Sequence, residues 1–308
     1  ITLWAIGRRN TRLEALRRGG WVLVGVAWVY VASTAWQPTD AASGLTLHFL
    51  DVGQGDAAVL RTPAGHWVLI DAGPVLGRDD AGRRVVLPFL QRHGVTRLAA
   101  VVISHAHADH VGGAAAVLAR VPADAVIEPG RLYADPVYYR FLDAVATGGD
   151  PWQVARSGQH FAIDGVRFTV LHPDTTWTEW GTDLNEDSAV LLVDYGAFSA
   201  LFAGDAGLPA ERLMAGHAGR VDLLKVGHHG SRGASGDAWL EELRPRAAVI
   251  SVGQRNRYGH PAAEALARLA RHHAELWRTD REGTITVNTD GQRMTVRGHR
   301  GSVTYPVQ

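Results

Sequence analysis

The run "VVISHAHADHVGG", residues 101–113, sets three histidines and an aspartate within six positions, between an apolar stretch and a pair of glycines. The apolar residues read as the end of a buried strand, which begins in the preceding "RLAA". At a strand end, side chains two apart point the same way, so His105 and His107 share one face. Where the chain then turns into a helix, Asp109 and His110 are set to face a second point nearby. Two imidazoles for one cation, and a carboxylate with an imidazole for its neighbour, make a sound nitrogen and oxygen ligand set for divalent metals. Gly112 and Gly113 predict that the helix lies close against neighbouring backbone.

Further along the chain, other strand ends carry residues of the same type. "LFAGD" ends on Asp205, a carboxylate at a strand tip, where it can bridge two ions. "KVGHHGS" ends another strand with His228 and His229, and "NRYGHP" a third with His260. Pro261 is expected to open the next helix at its favoured first position. Each of these is a weak signal alone; four strand ends with ligand-type residues are a strong one.

Composition narrows the chemistry. The 308 residues carry a formal net charge of zero and no cysteine, which excludes disulfides and thiolate metal sites and leaves nitrogen and oxygen donors, with 15 histidines to supply them. The basic residues are almost all arginine, with Lys225 the only lysine, which reads as compositional bias rather than function.

The first 44 residues stand apart. "RRNTRLEALRRGG" holds five arginines and one glutamate, and Trp21 to Trp36 contains no charge. With Gly19 and Gly20 the apolar stretch approaches the lower limit of a membrane span. The chain begins at Ile1, with "ITLWAI" ahead of the arginines, so the expectation is the end of a membrane domain. It would comprise a cytoplasmic basic loop, a transmembrane helix over about residues 19–36 and a linker to residue 44. Residues 45–308 would then form a separate domain on the outer face of a bacterial cell membrane. In that domain short strands punctuated by glycine alternate with helices, including "GRRVVLPFLQRHG", "PAERLMAGH", "GDAWLEELR" and "PAAEALARLARHH". The pattern predicts two sheets faced by helices, an α/β sandwich.

The motifs "LDVGQGD", "IDAG", "SHAHADHVGG", "GD", "KVGHHGS" and "N.YGHP", in this order over residues 45 to about 290, resemble the metallo-β-lactamase-fold domain of the ComEC family of competence proteins. Only the H-x-H-x-D-H run is generic to the wider fold. The resemblance implies an αββα four-layer sandwich holding two divalent ions, manganese or zinc. It implies His105 and His107 on one metal, Asp109, His110 and His229 on the other, and Asp205 bridging. His228 would contact phosphate, and His260 would stabilise or protonate a leaving oxygen. Where lactamases place a third histidine for the first metal, this chain has Asn185, a weaker donor that favours manganese over zinc for activity. Many relatives have aspartate where His107 stands.

The lesser motif residues divide. Asp51, Gln54, Asp56 and Asp71 read equally as groups that orient the ligands or as turn formers. His172 reads as structural, Arg232, Arg255 and Arg257 as candidate phosphate contacts, and the residues 271–273 as a solvated helix end. The function expected is a binuclear phosphodiesterase, a DNase acting during DNA uptake, with DNA, the membrane and the rest of the competence channel as partners. Its rivals are hydrolysis of a smaller phosphoester, lactam or ester, and a DNA-conducting component with a vestigial metal domain. After the five arginines and two acids before residue 45, the rest of the chain holds 26 basic and 29 acidic groups, a net of about −3. That is no general DNA-binding surface, so binding would fall to the metals and a local arginine rim.

Overall fold

A computed structural model describes residues 44–174 and 183–308. Their two large sheets have nine and seven strands, and each is divided in the same way. In the first, Gly301–Pro306, Arg293–Gly298, Ile285–Thr289, Leu45–Phe49, Ala58–Arg61 and Trp67–Ile70 run antiparallel to their neighbours. From Trp67–Ile70 onward, Ala100–Val102, Val126–Glu128 and Trp152–Val154 continue in parallel. In the second, His160–Ile163, Val166–His172, Val190–Tyr195 and Phe198–Phe202 form an antiparallel meander. Leu223–Lys225, Ala247–Ile250 and Glu275–Arg278 then extend it in parallel.

The sequence accounts for this division. The parallel strands are short and several are wholly buried, as in "AVV", "LLK" and "AAVI", because helices cover them and parallel neighbours need crossover connections. Val166–His172 instead buries every second residue. Three apolar cores separate four layers. Leu47, Phe49, Phe168, Phe198 and Trp277 fill the space between the sheets. Val59, Val101 and Ile103 pack outward against Leu90, Val117 and Phe141 of helices Leu87–Arg92, Ala114–Leu118 and Pro136–Gly148. Leu201, Leu224 and Ile250 do the same against Met214, Leu240 and Leu269 of helices Leu208–Met214, Asp237–Leu243 and Ala263–Arg271. The architecture is the expected αββα sandwich.

Some elements differ from expectation. The sequence reading missed the helix Pro136–Gly148, although Asp135 caps it by accepting from the Val137 N–H (2.7 Å) and Gly149 closes it in the left-handed region. It also missed Val126–Glu128, Trp152–Val154, His160–Ile163, Glu275–Arg278 and Gly301–Pro306, which are short or lie at or near sheet edges. Pro261 does not open a helix: the helix begins at Ala263. Pro261 lies instead against Gly230, where an added Cβ would come within 2.6 Å of it, and the Ala262 N–H bonds to Gly230 O. Residues 271–273 are not simply solvated, since Arg271 and His272 bond to Asp237 of the neighbouring helix. No helix among the described residues is long and apolar enough to cross a membrane. The basic loop, the span expected over about residues 19–36 and the linker up to residue 43 lie outside the described residues.

Candidate metal centre

Four strands that run parallel to a neighbour end on the same side, and their following loops carry the chemistry. Ala100–Val102 leads into His105–His110, Phe198–Phe202 into Asp205, Leu223–Lys225 into His228 and His229, and Ala247–Ile250 into the loop ending at His260. This is the crevice at the carboxyl ends of strands where α/β sheets bind ligands.

The first loop is clamped by Asp71. Its backbone takes a left-handed conformation (φ 57°), and its carboxylate accepts from the Ser104 N–H (2.7 Å) and Ser104 Oγ–H (2.8 Å). The same carboxylate lies 2.9 Å from His110 Nδ1. That bond occupies Nδ1 and leaves His110 Nε2 facing Asp205 Oδ1 at 3.2 Å. A Cβ on Gly113 would lie 2.3 Å from Ala72 O and 2.5 Å from Gly82 N, so the glycine pair does admit close backbone.

The second loop is strained. His228 and His229 both have positive φ (48° and 52°), at about 1–3 kcal/mol each for residues other than glycine. The strain turns the two rings into the crevice. His229 Nδ1 donates to Ser251 O (3.0 Å) and lies 3.3 Å from Asp56 Oδ1. Its Nε2 approaches Asp109 Oδ2 to 3.4 Å and Asp205 Oδ1 to 3.7 Å without hydrogen-bond geometry. His228, whose side chain is 32% exposed, holds Nε2 3.7 Å from Asp205 Oδ2 and its ring beside that of His260. Asp205 is itself fixed through its N–H, which donates to Ser188 Oγ (3.0 Å).

His105, His107 and Asn185 meet on the other side. His105 Nε2 and His107 Nδ1 are 3.0 Å apart, and Asn185 Oδ1 is 2.9 Å from His107 Nδ1. The expected face-sharing of His105 and His107 is present, and the amide stands with them. Ser104 and Ser188 hydroxyls back His105 Nδ1 at 3.1 and 3.4 Å.

The electrostatics call for added positive charge. The carboxylates of Asp56, Asp71, Asp109 and Asp205 face one ammonium, Lys225, whose Nζ donates to Asp56 Oδ2 (2.6 Å). Burial would lower His229, but the Asp205 and Asp56 carboxylates raise it to about 10. His110 is likewise raised well above the usual imidazole range, against burial, by Asp205 and Asp71. His105 moves the other way, lowered by burial and by the charge on His110. Burial opposes ionisation of Asp109 and Asp205, yet the neighbouring histidines hold both below the usual carboxylate range. Asp56 is held at about 2, with burial outweighed by Lys225 and His229. The same carboxylates that raise His110 and His229 would favour a bound cation.

His107, Asp109, Asn185, Asp205, His228 and His229 line a cleft of about 360 Å³ that also includes Gln54, Tyr133, Asp135, Tyr258 and His260. Tyr258 is 54% exposed, stacks on His260, and carries the Arg257 guanidinium 5.2 Å over its ring. Burial and the adjacent His228 lower the pKa of His260. Asn256 holds this loop by accepting from the Tyr258 and His260 N–H groups and donating to Gly253 O and His260 O. The undecided motif residues separate. Asp56 and Asp71 stand behind His229 and His110, Gln54 lines the cleft and accepts from the Gly253 N–H, and Asp51 forms a turn with Gly53. His172 is buried and bonds Glu186 O, as a structural residue would. Arg232 lies 3.9 Å from Glu264, and neither it nor Arg255 lines the cleft. Lys225 is the residue the sequence reading passed over; a lone lysine in an arginine-rich chain, two residues before a Gly-His-His, was the signal.

The metallo-β-lactamase superfamily model matches residues 50–254. Recombination protein 2 of Haemophilus influenzae is 33% identical over 292 residues, covering 95% of this chain and 34% of its own length. Competence protein ComA of Neisseria gonorrhoeae is 33% identical over 239 residues, 76% of this chain and 31% of its own. The chain spans about a third of the length of the curated relatives it matches. The crystal structure of CmlA, a diiron β-hydroxylase from Streptomyces venezuelae, superposes with a TM-score of 0.53 at 16% identity, over 80% of this chain and 54% of that one, a likeness of fold.

Proposed function

The chain belongs to the metallo-β-lactamase superfamily, in general metal-dependent hydrolases, and from that premise we propose that it is a binuclear phosphodiesterase that cuts DNA during competence-related uptake. One observation carries the proposal. His110 Nε2 and His229 Nε2 lie 3.2 and 3.7 Å from Asp205 Oδ1, and all three atoms are buried with no hydrogen-bond partner. Each such orphan costs about 1–3 kcal/mol unless something binds there.

The donor set fits two divalent ions. Asp109, His110 and His229 would hold one, His105, His107 and Asn185 the other, and Asp205 would be shared. Bound there, such a pair supplies Lewis acidity to a phosphoryl oxygen and lowers the pKa of water. The chain's own groups do the rest. Asp71 and Asp56 fix the ring orientation of His110 and His229, and Asn185 restrains His107. His228 and His260 form the wall against which a phosphate and its leaving oxygen are hydrogen-bonded. Tyr258, with Arg257 over its ring, offers a face on which a base stacks. The names of the two relatives support DNA as the substrate class, and the arginine-rich and apolar segments before residue 37 support a site on the outer membrane face, joined to the rest of a competence channel.

The test is cleavage of linear single- and double-stranded DNA by the purified chain with magnesium, manganese or zinc. Manganese is expected to support cleavage best. Hydrolysis of a small phosphoester, lactam or ester, with DNA intact under every metal, would overturn the proposal.

A further inference from the structure

A second groove runs along Gly112 and the helical turn Ala114–Leu118. Ala108 lines the cleft, while Gly112, Ala115 and Ala119 floor the groove. Ala115 and Ala119 lie four residues apart along the turn Ala114–Leu118 and its end, so they share one face. Its small side chains leave a trough of about 850 Å³.

The walls of the trough are basic. The hairpin of Val75–Leu76 and Asp79–Asp80 brings Arg78, the helix Pro136–Gly148 brings Arg140, and Arg120 stands at the far end. All three side chains are exposed, and none forms an ion pair among the described residues. Asp80, the one acid of the lining, is engaged by Arg83 at 3.3 Å. In a region whose formal net charge is about −3, three uncompensated guanidiniums around one trough are a local reversal of sign.

We propose that this groove carries the phosphate backbone of a single DNA strand whose reacting end lies in the cleft. The proposal rests on the cleft being a DNA phosphodiesterase site, and it supplies the basic track that the overall charge balance lacks. Charge complementarity gives the ligand class, since guanidinium forks match phosphate oxygens. Adjacency gives the direction, because the chain passes within four residues from Ala108 in the cleft lining to Gly112 in the groove lining. The 360 Å³ cleft is of the size that takes a small molecule or one nucleotide, so a single strand rather than a duplex fits this path.

Binding of a labelled single strand of about 20 nucleotides, followed by fluorescence anisotropy over a range of salt in chelator, reads the groove without metal or catalysis. In R78Q/R120Q/R140Q the slope of log affinity against log salt should fall by about 2, at roughly 0.7 for each phosphate no longer neutralised. The R78K/R120K/R140K variant should keep most of the affinity. With metal, the glutamine variant should lose cleavage of the long strand while hydrolysing a dinucleotide as the parent does. An unchanged slope, or a parent chain that does not bind the strand at low salt, would overturn the proposal. So would a glutamine variant that keeps the strand but loses anionic phospholipid vesicles, since the groove would then face a membrane. If the parent hydrolyses no phosphodiester under any metal, the phosphodiesterase reading fails, whereas the salt slope still decides whether the groove holds a strand.

Discussion

The two sides of the cleft floor differ in what stands behind their donor atoms. Behind His110 and His229 stand carboxylates: Asp71 at 2.9 Å from one Nδ1 and Asp56 at 3.3 Å from the other, with Lys225 behind Asp56 in turn. Behind His105 stand only the hydroxyls of Ser104 and Ser188, and beside His107 an amide. One side concentrates negative charge in a braced frame, and the other relies on neutral dipoles. A backing carboxylate raises ligand basicity and fixes orientation, so under the proposed assignment the two sides would hold cations with unequal strength.

The largest effect should come from Asp205, the one carboxylate that reaches both sides. Asp205→Ala should abolish DNA cleavage and metal binding at both sites, a greater loss than the roughly 10–100-fold typical of a backing residue. Asp109→Ala should remove only the braced site together with activity. Metal content measured alongside cleavage checks both, and retention of two ions by Asp205→Ala would break the shared-ligand picture.

The brace itself is open to test. Lys225→Met takes the ammonium from the buried Asp56 carboxylate and leaves it only the His229 imidazole at 3.3 Å, and should destabilise the chain by about 3–5 kcal/mol in urea unfolding. Replacing Asp56 by Leu in that background should recover much of the stability. A near-neutral Lys225→Met would mean that the ion pair braces nothing.

The proton balance sharpens the comparison further. His229 is raised to about 10 in the folded, metal-free chain, against about 6.5 when unfolded. Its contribution to metal-free stability is therefore fully present below pH ~6.5 and is lost as pH rises through about 10. A cation must displace that proton, so affinity at the braced site should rise with pH and binding should release about one to two protons. Calorimetry in two buffers of different ionisation heat measures the release. No proton release at neutral pH would contradict the arrangement around His229.

The ligand loops were legible in the sequence because each follows a buried strand, where period-two alternation fixes which side chains converge. His105 and His107 share the face that this alternation predicts, whereas His229 reaches the cleft through a left-handed turn that it does not. Apolar runs bounded by glycine likewise announced the two-sheet sandwich. What stayed hidden depends on contacts across the fold. Asp56 meets Lys225 over 169 positions, and Asp71 meets His110 over 39, which no local pattern encodes. The strand His160–Ile163 was missed because an edge strand with no fully buried residue needs few apolar side chains, and Pro261 because Gly230 holds it in the site loop.

Equilibrium titration of the native chain and of Asn185→His with manganese and with zinc tests the unequal binuclear centre most directly. Two ions per chain are expected in the native protein, one held tightly and one weakly, with manganese the better activator. Asn185→His should tighten only the weak site, and most of all for zinc, which prefers nitrogen donors. Absence of specific divalent binding, or two equally tight zinc sites in the native chain with zinc the best activator, would contradict it.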